Sequence, residues 1–215
     1  MFDPPPFRLE DREKIFAFIA AHPLGLLISM EGAPCADLIP FLTEPDFAPS
    51  GRLLAHVSRA NPLWRRLQRQ PEALVVFQGE NAYVSPALYA SKPLHGKVVP
   101  TWNYTMAQAR GRAVVHDDME WVLAQAKALT DKHEAGKSPP WAVKDAPDDY
   151  IEAQLRRIVG IEILIDSVVG KFKLSQNRDA ADRRGVSEGL AQQQDAGAKA
   201  VAARMMERDV PEELG

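Results

Sequence analysis

Residues 81–104, NAYVSPALYASKPLHGKVVPTWNY, concentrate the side chains most suited to holding a ligand. They include Tyr83, Tyr89, Trp102 and Tyr104, four of the chain's eight Trp and Tyr residues. Lys92, His95 and Lys97 lie among them, and no acidic residue occurs between Glu80 and Asp117. Aromatic faces beside isolated cations suit a flat, anionic ligand: rings stack on a ring, and ammonium groups meet a phosphate. A loop whose aromatics plug the end of a barrel would have the same composition, so composition leaves the two readings level.

A second set is His56-Val57-Ser58-Arg59-Ala60-Asn61-Pro62, where a strand gives way to a helix. Asn61 suits the N-cap and Pro62 the first helical position. Free backbone N–H groups at a helix start favour phosphate, and Ser58 and Arg59 add a hydroxyl and a two-pronged guanidinium. An ordinary strand-to-helix connection with an exposed arginine accounts for the same residues and is the commoner case. The third set, Lys171-Phe172-Lys173-Leu174-Ser175-Gln176-Asn177-Arg178, is basic. It could reach a ligand or nucleic acid, or simply end a strand with Asn177 capping the next helix.

Other chemistries find little to stand on. The histidines at 22, 56, 95, 116 and 133 show neither HxH nor HxxxH spacing, so no metal centre is expected. Spacing leaves a single axial haem histidine open. Without GxSxG, GxGxxG or GxxxxGK, no catalytic residue can be named. Cys35 is the single cysteine, which excludes an internal disulfide. With a net charge of −3, DNA contact would need a local basic patch such as Lys173, Arg178, Arg183 and Arg184. No apolar run approaches the ~20 residues of a membrane span, and MFDPPPFR lacks the features of a signal peptide. No membrane association and a cytoplasmic location are the expectations.

The elements that must position these residues are mostly consecutive strands. Hydrophobic period and breakers predict a helix over 10–21, then a hairpin of 24–30 and 34–42 about Glu31-Gly32. A strand follows over 52–57, and two strand pieces, 73–78 and 82–85, lie either side of Gly79-Glu80. Residues 97–104 lead into a long strand continuing to His116. Helices are expected over 117–133 and 148–157, a strand over 159–172 with Ile161, Ile163 and Ile165 on one face, and helices over 177–190 and 195–208. In the last helix Ala198, Val201, Ala202, Met205 and Met206 form a packing stripe. The pattern is mainly β with flanking helices, an α+β arrangement around an antiparallel barrel or sheet.

HVSRANPLW (56–64), YVSPALYASK (83–92), HGKVVPTWNY (95–104), KFKLSQNR (171–178) and the opening MFDPPPFR together resemble the PaiB family, from Met1 to about Leu190. PaiB proteins are described as FMN-binding negative transcriptional regulators. The resemblance implies an antiparallel FMN-binding split β-barrel, similar to the pyridoxamine-phosphate oxidase and flavin reductase barrels. It implies a homodimer with FMN at the subunit interface. On this basis residues 1–175 are expected to form the barrel domain, with its N-terminal arm and inserted helices, and 176–215 a C-terminal helical extension. The resemblance implies a phosphate anchor at Ser58 and Arg59 and further cofactor contacts from His56, Asn61, Lys92, Trp102, Asn103 and Tyr104. A regulatory role is favoured over a flavin-dependent oxidoreductase, and FMN over haem.

Overall fold

The computed structural model describes residues 1–209. Its strands are β1 (Arg8–Leu9), β2 (Leu24–Glu31), β3 (Ala33–Pro40), β4 (Leu42–Glu44), β5 (Arg52–Ser58), β6 (Glu72–Val84), β7 (Thr101–His116) and β8 (Ile158–Lys173). Its helices are α1 (Arg12–Ala21), α2 (Leu63–Arg69), α3 (Lys92–His95), α4 (Met119–Glu134), α5 (Asp148–Leu155), α6 (Ala180–Ala191) and α7 (Ala196–Asp209). One sheet runs in the order β3-β2-β6-β7-β8-β5-β4, with β1 paired to β8. This is the antiparallel split barrel with flanking helices that the strand pattern and the resemblance together predict.

The chain divides into two compact units: Asp11–Phe77 with Ala107–Val168, and Met1–Glu10 with Gln78–Met106 and residues 169–209. The long strands β6, β7 and β8 contribute residues to both. The boundary expected at 175/176 falls within the second of these units, and residues 210–215 of the expected extension lie outside the described residues.

The first unit is the barrel. Strict alternation places Leu53, Ala55 and Val57 of β5 and Val159, Ile161, Ile163 and Ile165 of β8 in its interior. Leu27, Val75 and Phe77 join them, with Phe41 edge-on to Phe77 at 5.9 Å. α1 buries Ile15, Phe16, Phe18 and Ile19 and starts at Asp11, whose side chain accepts from the Lys14 N–H.

Outside the barrel, α4 seats on β5 and β8 through a chain of contacts. The His116 ring stacks on Trp121 at 4.0 Å and 3°, and its Nε2 lies 2.8 Å from the buried Glu162 carboxylate. Arg52 donates to Glu162 (2.8 Å) and to Glu44 (2.7 Å), so the buried acid is fully compensated. Gln125, also buried, has its Oε1 2.7 Å from His56 Nδ1. The indole fits because residue 160 is glycine: a Cβ there would stand 2.2 Å from Trp121 Cζ3.

The second unit is a sheet end covered on one face by two helices. Ala82, Val84 and Leu174 pack against Val186, Leu190, Ala198, Val201, Ala202 and Met205 of α6 and α7. Gly185 and Gly189, one turn apart on α6, form a notch for Leu88. A Cβ at either would lie 2.4 Å from it. Asp182 of α6 accepts from both the N–H and the hydroxyl of Ser91 (2.8 and 2.9 Å). Met206, placed on the packing stripe by its spacing, is half exposed, while the other four stripe residues are buried.

Several elements differ from the sequence expectation, each for a physical reason. β6 is one strand, not two pieces. The Glu80 carboxylate, mid-strand, accepts from Thr105 Oγ1 (2.6 Å) and Arg204 Nη2 (3.0 Å). Burial pushes that carboxyl up, but these two bonds outweigh it and leave its pKa below the usual value. β7 begins only at Thr101; residues 97–100 are irregular, following the short α3 that ends at the left-handed Gly96. α6 is capped by Asp179, which accepts from the Asp182 N–H, and not by Asn177.

Gly160→Ala should lower stability by about 1–3 kcal/mol by driving a methyl into the Trp121 ring. Denaturant melts followed by tryptophan fluorescence check this. An unchanged midpoint would mean that α4 does not depend on this seat.

Candidate functional site

The residues singled out by sequence fall into both units, and each set can be read separately. His56, Ser58, Arg59 and Asn61 belong to the barrel unit; Lys92, Trp102, Asn103 and Tyr104 belong to the other.

In the barrel set, three of the four side chains are held by protein partners. Arg59 Nη2 pairs with Asp117 (2.5 Å) and also donates to the Ile158 carbonyl (3.2 Å), while Nε donates to the Arg156 carbonyl (2.9 Å). The hydrogen bond from Arg59 holds the Asp117 carboxyl below its usual pKa. Asn61 donates to Asp37 (3.0 Å) and accepts from the Leu63 N–H (2.9 Å). Pro62, not Asn61, occupies the N-cap, because the α2 turn starts one residue later than the spacing predicts. His56 is engaged by Gln125, as above. Ser58 Oγ receives only the Ala60 N–H (3.3 Å), on an exposed residue.

In the second unit the period of β7 separates TWNY into two faces. Asn103 and Thr105 are buried; Trp102 is 54% exposed and Tyr104 partly so. The Asn103 amide meets Ser175 Oγ at 2.9 Å and lies 3.6 Å from Met205 Sδ. Sequence reasoning placed Asn103 beside Trp102 and Tyr104 as a cofactor residue. The alternation turns it inward, toward the helices, where it holds β7 to the chain after β8.

The opposite face carries rings and lysines. Trp102 stands edge-on to Tyr83, which is 48% exposed, at 6.0 Å. Lys171 Nζ lies 5.4 Å from the Tyr104 ring centre and 5.5 Å from that of Phe2, and donates to the Phe2 carbonyl (2.9 Å). Lys173 Nζ donates to the Trp102 carbonyl (2.6 Å) and to Thr101 Oγ1. Burial, then the neighbouring Lys171 and Arg178, hold the Lys173 pKa below the usual lysine value. An anion at this face would relieve that repulsion. Lys92 is exposed at the first position of α3.

The motif KFKLSQNR is therefore a clamp on TWNY. Ser175 takes a left-handed backbone (φ 64°), the single non-glycine to do so among the described residues. Gln176 accepts from the Leu174 N–H (2.6 Å) and donates to the Phe172 carbonyl, closing the turn, and Arg178 lies 4.8 Å over the Tyr89 ring. Lys171 and Lys173 belong with the site, as does Tyr83. Strand alternation, applied to 101–106 and 169–173 together, is the signal that finds them.

The donor set of this face fits a flavin mononucleotide: accessible rings for a flat tricycle, and the partly buried Lys173 ammonium for its anionic parts, with Lys171 buried behind the rings and donating to the Phe2 carbonyl. Among the described residues no group of three or more His, Cys, Asp or Glu is placed to hold a metal, and no helix is long and apolar enough to cross a membrane.

The chain is similar in sequence and in fold to several known proteins. The chain resembles the Bacillus subtilis protease synthase and sporulation protein PAI 2, at 28% identity over 97% of this chain and 98% of that one. An uncharacterized protein of Emericella nidulans is 35% identical over 80% of this chain and 83% of its own. In fold, the chain is similar to the FAD and heme binding protein of Mycobacterium smegmatis (TM-score 0.59, 20% identity, 82% of this chain and 78% of that one). It is also similar to the flavocytochrome Anf3 of Azotobacter vinelandii (TM-score 0.57, 19% identity, 77% and 69%). The family model described as "Putative FMN-binding domain" matches residues 1–167, and the chain belongs to that family.

Proposed function

We propose that this chain is an FMN-binding regulator of PaiB type that acts as a homodimer and represses transcription. The observation that carries the cofactor reading is the face of Tyr83, Trp102 and Tyr104 with Lys171 and Lys173, fixed from behind by Asn103 and Ser175. Trp102 and Tyr83 would flank the flavin ring. Lys92, exposed, is the phosphate-directed group this reading retains in this unit; in the barrel unit the Ser58 hydroxyl is exposed, while Arg59, Asn61 and His56 shape the turn between β5 and α2. Bound FMN supplies reversible electron transfer; the chain supplies position, a dry stacking surface and compensating charge. The regulatory output is supported by similarity to PAI 2 along nearly the whole chain. Arg178 faces the Tyr89 ring and Lys173 faces β7, so the basic residues proposed for DNA are partly engaged within the fold. The flavin state would then reach the promoter through a partner more readily than through these cations.

The homodimer reading rests on the barrel's outer face. Leu24, Leu26, Ile28 and Met30 of β2 stand in register with Pro40, Leu38, Ala36 and Pro34 of β3. Leu26 and Ile28 also oppose Val76 and Leu74 of β6. Leu38 is 62% exposed, Leu24 54%, Met30 47% and Leu26 37%, so neighbouring positions of β2 and β3 present apolar side chains to solvent. A second copy covering this face would bury it by two-fold symmetry, and in the proposed dimer the flavin lies at a subunit interface.

The following measurements test these readings. FMN at a hundredfold excess over its Kd should raise stability by about 2.7 kcal/mol, and the purified protein should show a flavin, not a haem, absorption spectrum. Trp102→Ala should weaken FMN binding by about tenfold, the loss of one aromatic stack. A colourless protein with an unmoved Tm would sink the cofactor reading. Arg59→Ala should instead lower stability by about 1–2 kcal/mol, from two lost main-chain hydrogen bonds and a solvent-weakened ion pair, while FMN affinity changes less than in Trp102→Ala. The double variant Leu26→Glu, Leu38→Lys should run as a monomer in light scattering where the natural chain runs as a dimer; a monomeric natural chain refutes the interface.

A further inference from the structure

A cavity of about 460 Å³ opens in the barrel unit, lined by none of the residues assigned to the flavin or to the dimer face. Its wall on α4 is a stripe at helical spacing, Leu123, Lys127 and Asp131. The facing wall is Asp148 and Ile151 of α5, and Ala142, Val143 and Lys144 close it. The volume lies within the roughly 300–1,000 Å³ typical of small-molecule sites.

Two properties of the lining restrict what fits. Part of the lining is apolar: Leu123, Val143 and Ile151. The lining also carries two cations, Lys127 and Lys144, and two anions, Asp131 and Asp148, and none of the four makes an ion pair or side-chain hydrogen bond among the described residues. Lys127 and Asp131 lie one helical turn apart without pairing, although charged neighbours at that spacing ordinarily attract. The segment bearing Lys144 is held in place by other groups: the Trp141 N–H donates to Glu134 (3.1 Å) and the Ala142 N–H to Asp145 (2.8 Å).

The charge pattern selects the ligand class. A phosphate or dicarboxylate would bring its charge against Asp131 and Asp148. A polyamine would meet Lys127 and Lys144. A neutral apolar molecule would strip water from four charges and compensate none of them. A molecule with one ammonium, one carboxylate and an apolar body matches both signs of charge and the apolar part of the lining. We infer that this cavity binds a small apolar zwitterion, with the chemistry of an apolar α-amino acid: its carboxylate to the lysines, its ammonium to the aspartates, its side chain on Leu123, Val143 and Ile151. This would place a metabolite-sensing site on a flavin-binding regulator, independent of the flavin itself.

The test is calorimetric titration of the full-length protein with L-leucine and L-phenylalanine, alongside N-acetyl-L-leucine, which lacks the ammonium, and L-leucinamide, which lacks the carboxylate. Saturable binding of at least one amino acid is expected, with both leucine derivatives at least about tenfold weaker than leucine where leucine binds. Lys144→Ala and Asp131→Ala, both at exposed positions, should each weaken amino-acid binding by about tenfold and leave FMN titration of the same samples unchanged. No saturable binding of either amino acid up to ~10 mM, which would populate even a millimolar site, overturns the inference. So does binding of the blocked derivatives as tight as that of leucine, or binding indifferent to both substitutions. Because FMN is titrated separately, failure here and failure of the flavin reading appear as different results.

Discussion

A buried amide and a hydroxyl set the orientation of everything that faces a ligand in the second unit. Asn103 meets Ser175 at 2.9 Å in a region with no solvent, so breaking the pair would leave polar groups unsatisfied in an apolar cluster. Because side chains alternate along a strand, fixing Asn103 and Thr105 inward fixes Trp102 and Tyr104 outward. The unusual backbone at Ser175 is the local cost of bringing its hydroxyl to that place, and Gln176 closes the turn that holds it. The aromatic face is thus a by-product of polar burial on the opposite side of the same strand.

What was legible in the sequence was whatever repeats at short range. The alternation of Ile161, Ile163 and Ile165 identified β8, and the spacing of Val122 and Leu129 identified α4, because period and burial coincide there. Gly79-Glu80 reads as a break between strands, and the inward bonding of Asn103 has no local sign, because both contain polar groups whose partners are distant in sequence. Glu80 is satisfied by Arg204, 124 residues on, and Asn103 by Ser175, 72 residues on. No local pattern carries that information. The same distance hid the role of Arg59, whose partners at Asp117, Arg156 and Ile158 are brought to it by the sheet.

Cations are used in two different ways on this molecule. Arg52, Arg59 and Arg66 are tied to carboxylates within the barrel unit, Arg66 to Asp37 at 2.7 Å while largely buried. These arginines organise strands and turns, a use suited to a planar fork with several donors. The lysines at 171 and 173 sit beside rings and carbonyls with no carboxylate partner among the described residues, which leaves their charge uncompensated by the protein. A surface of slightly negative overall charge can in this way keep a local site for an anion.

The Asn103–Ser175–Met205 contacts also order events during synthesis. On the ribosome the barrel strands up to His116 emerge well before Ser175, and Met205 follows 102 residues after Asn103. Until then the strand segment that ends in the exposed tryptophan has no inner partner, and its buried-side amide must remain with water or with a chaperone. The aromatic face is therefore among the last features of the chain to acquire its final form, and a polypeptide released early would carry the aromatic motif without its shape.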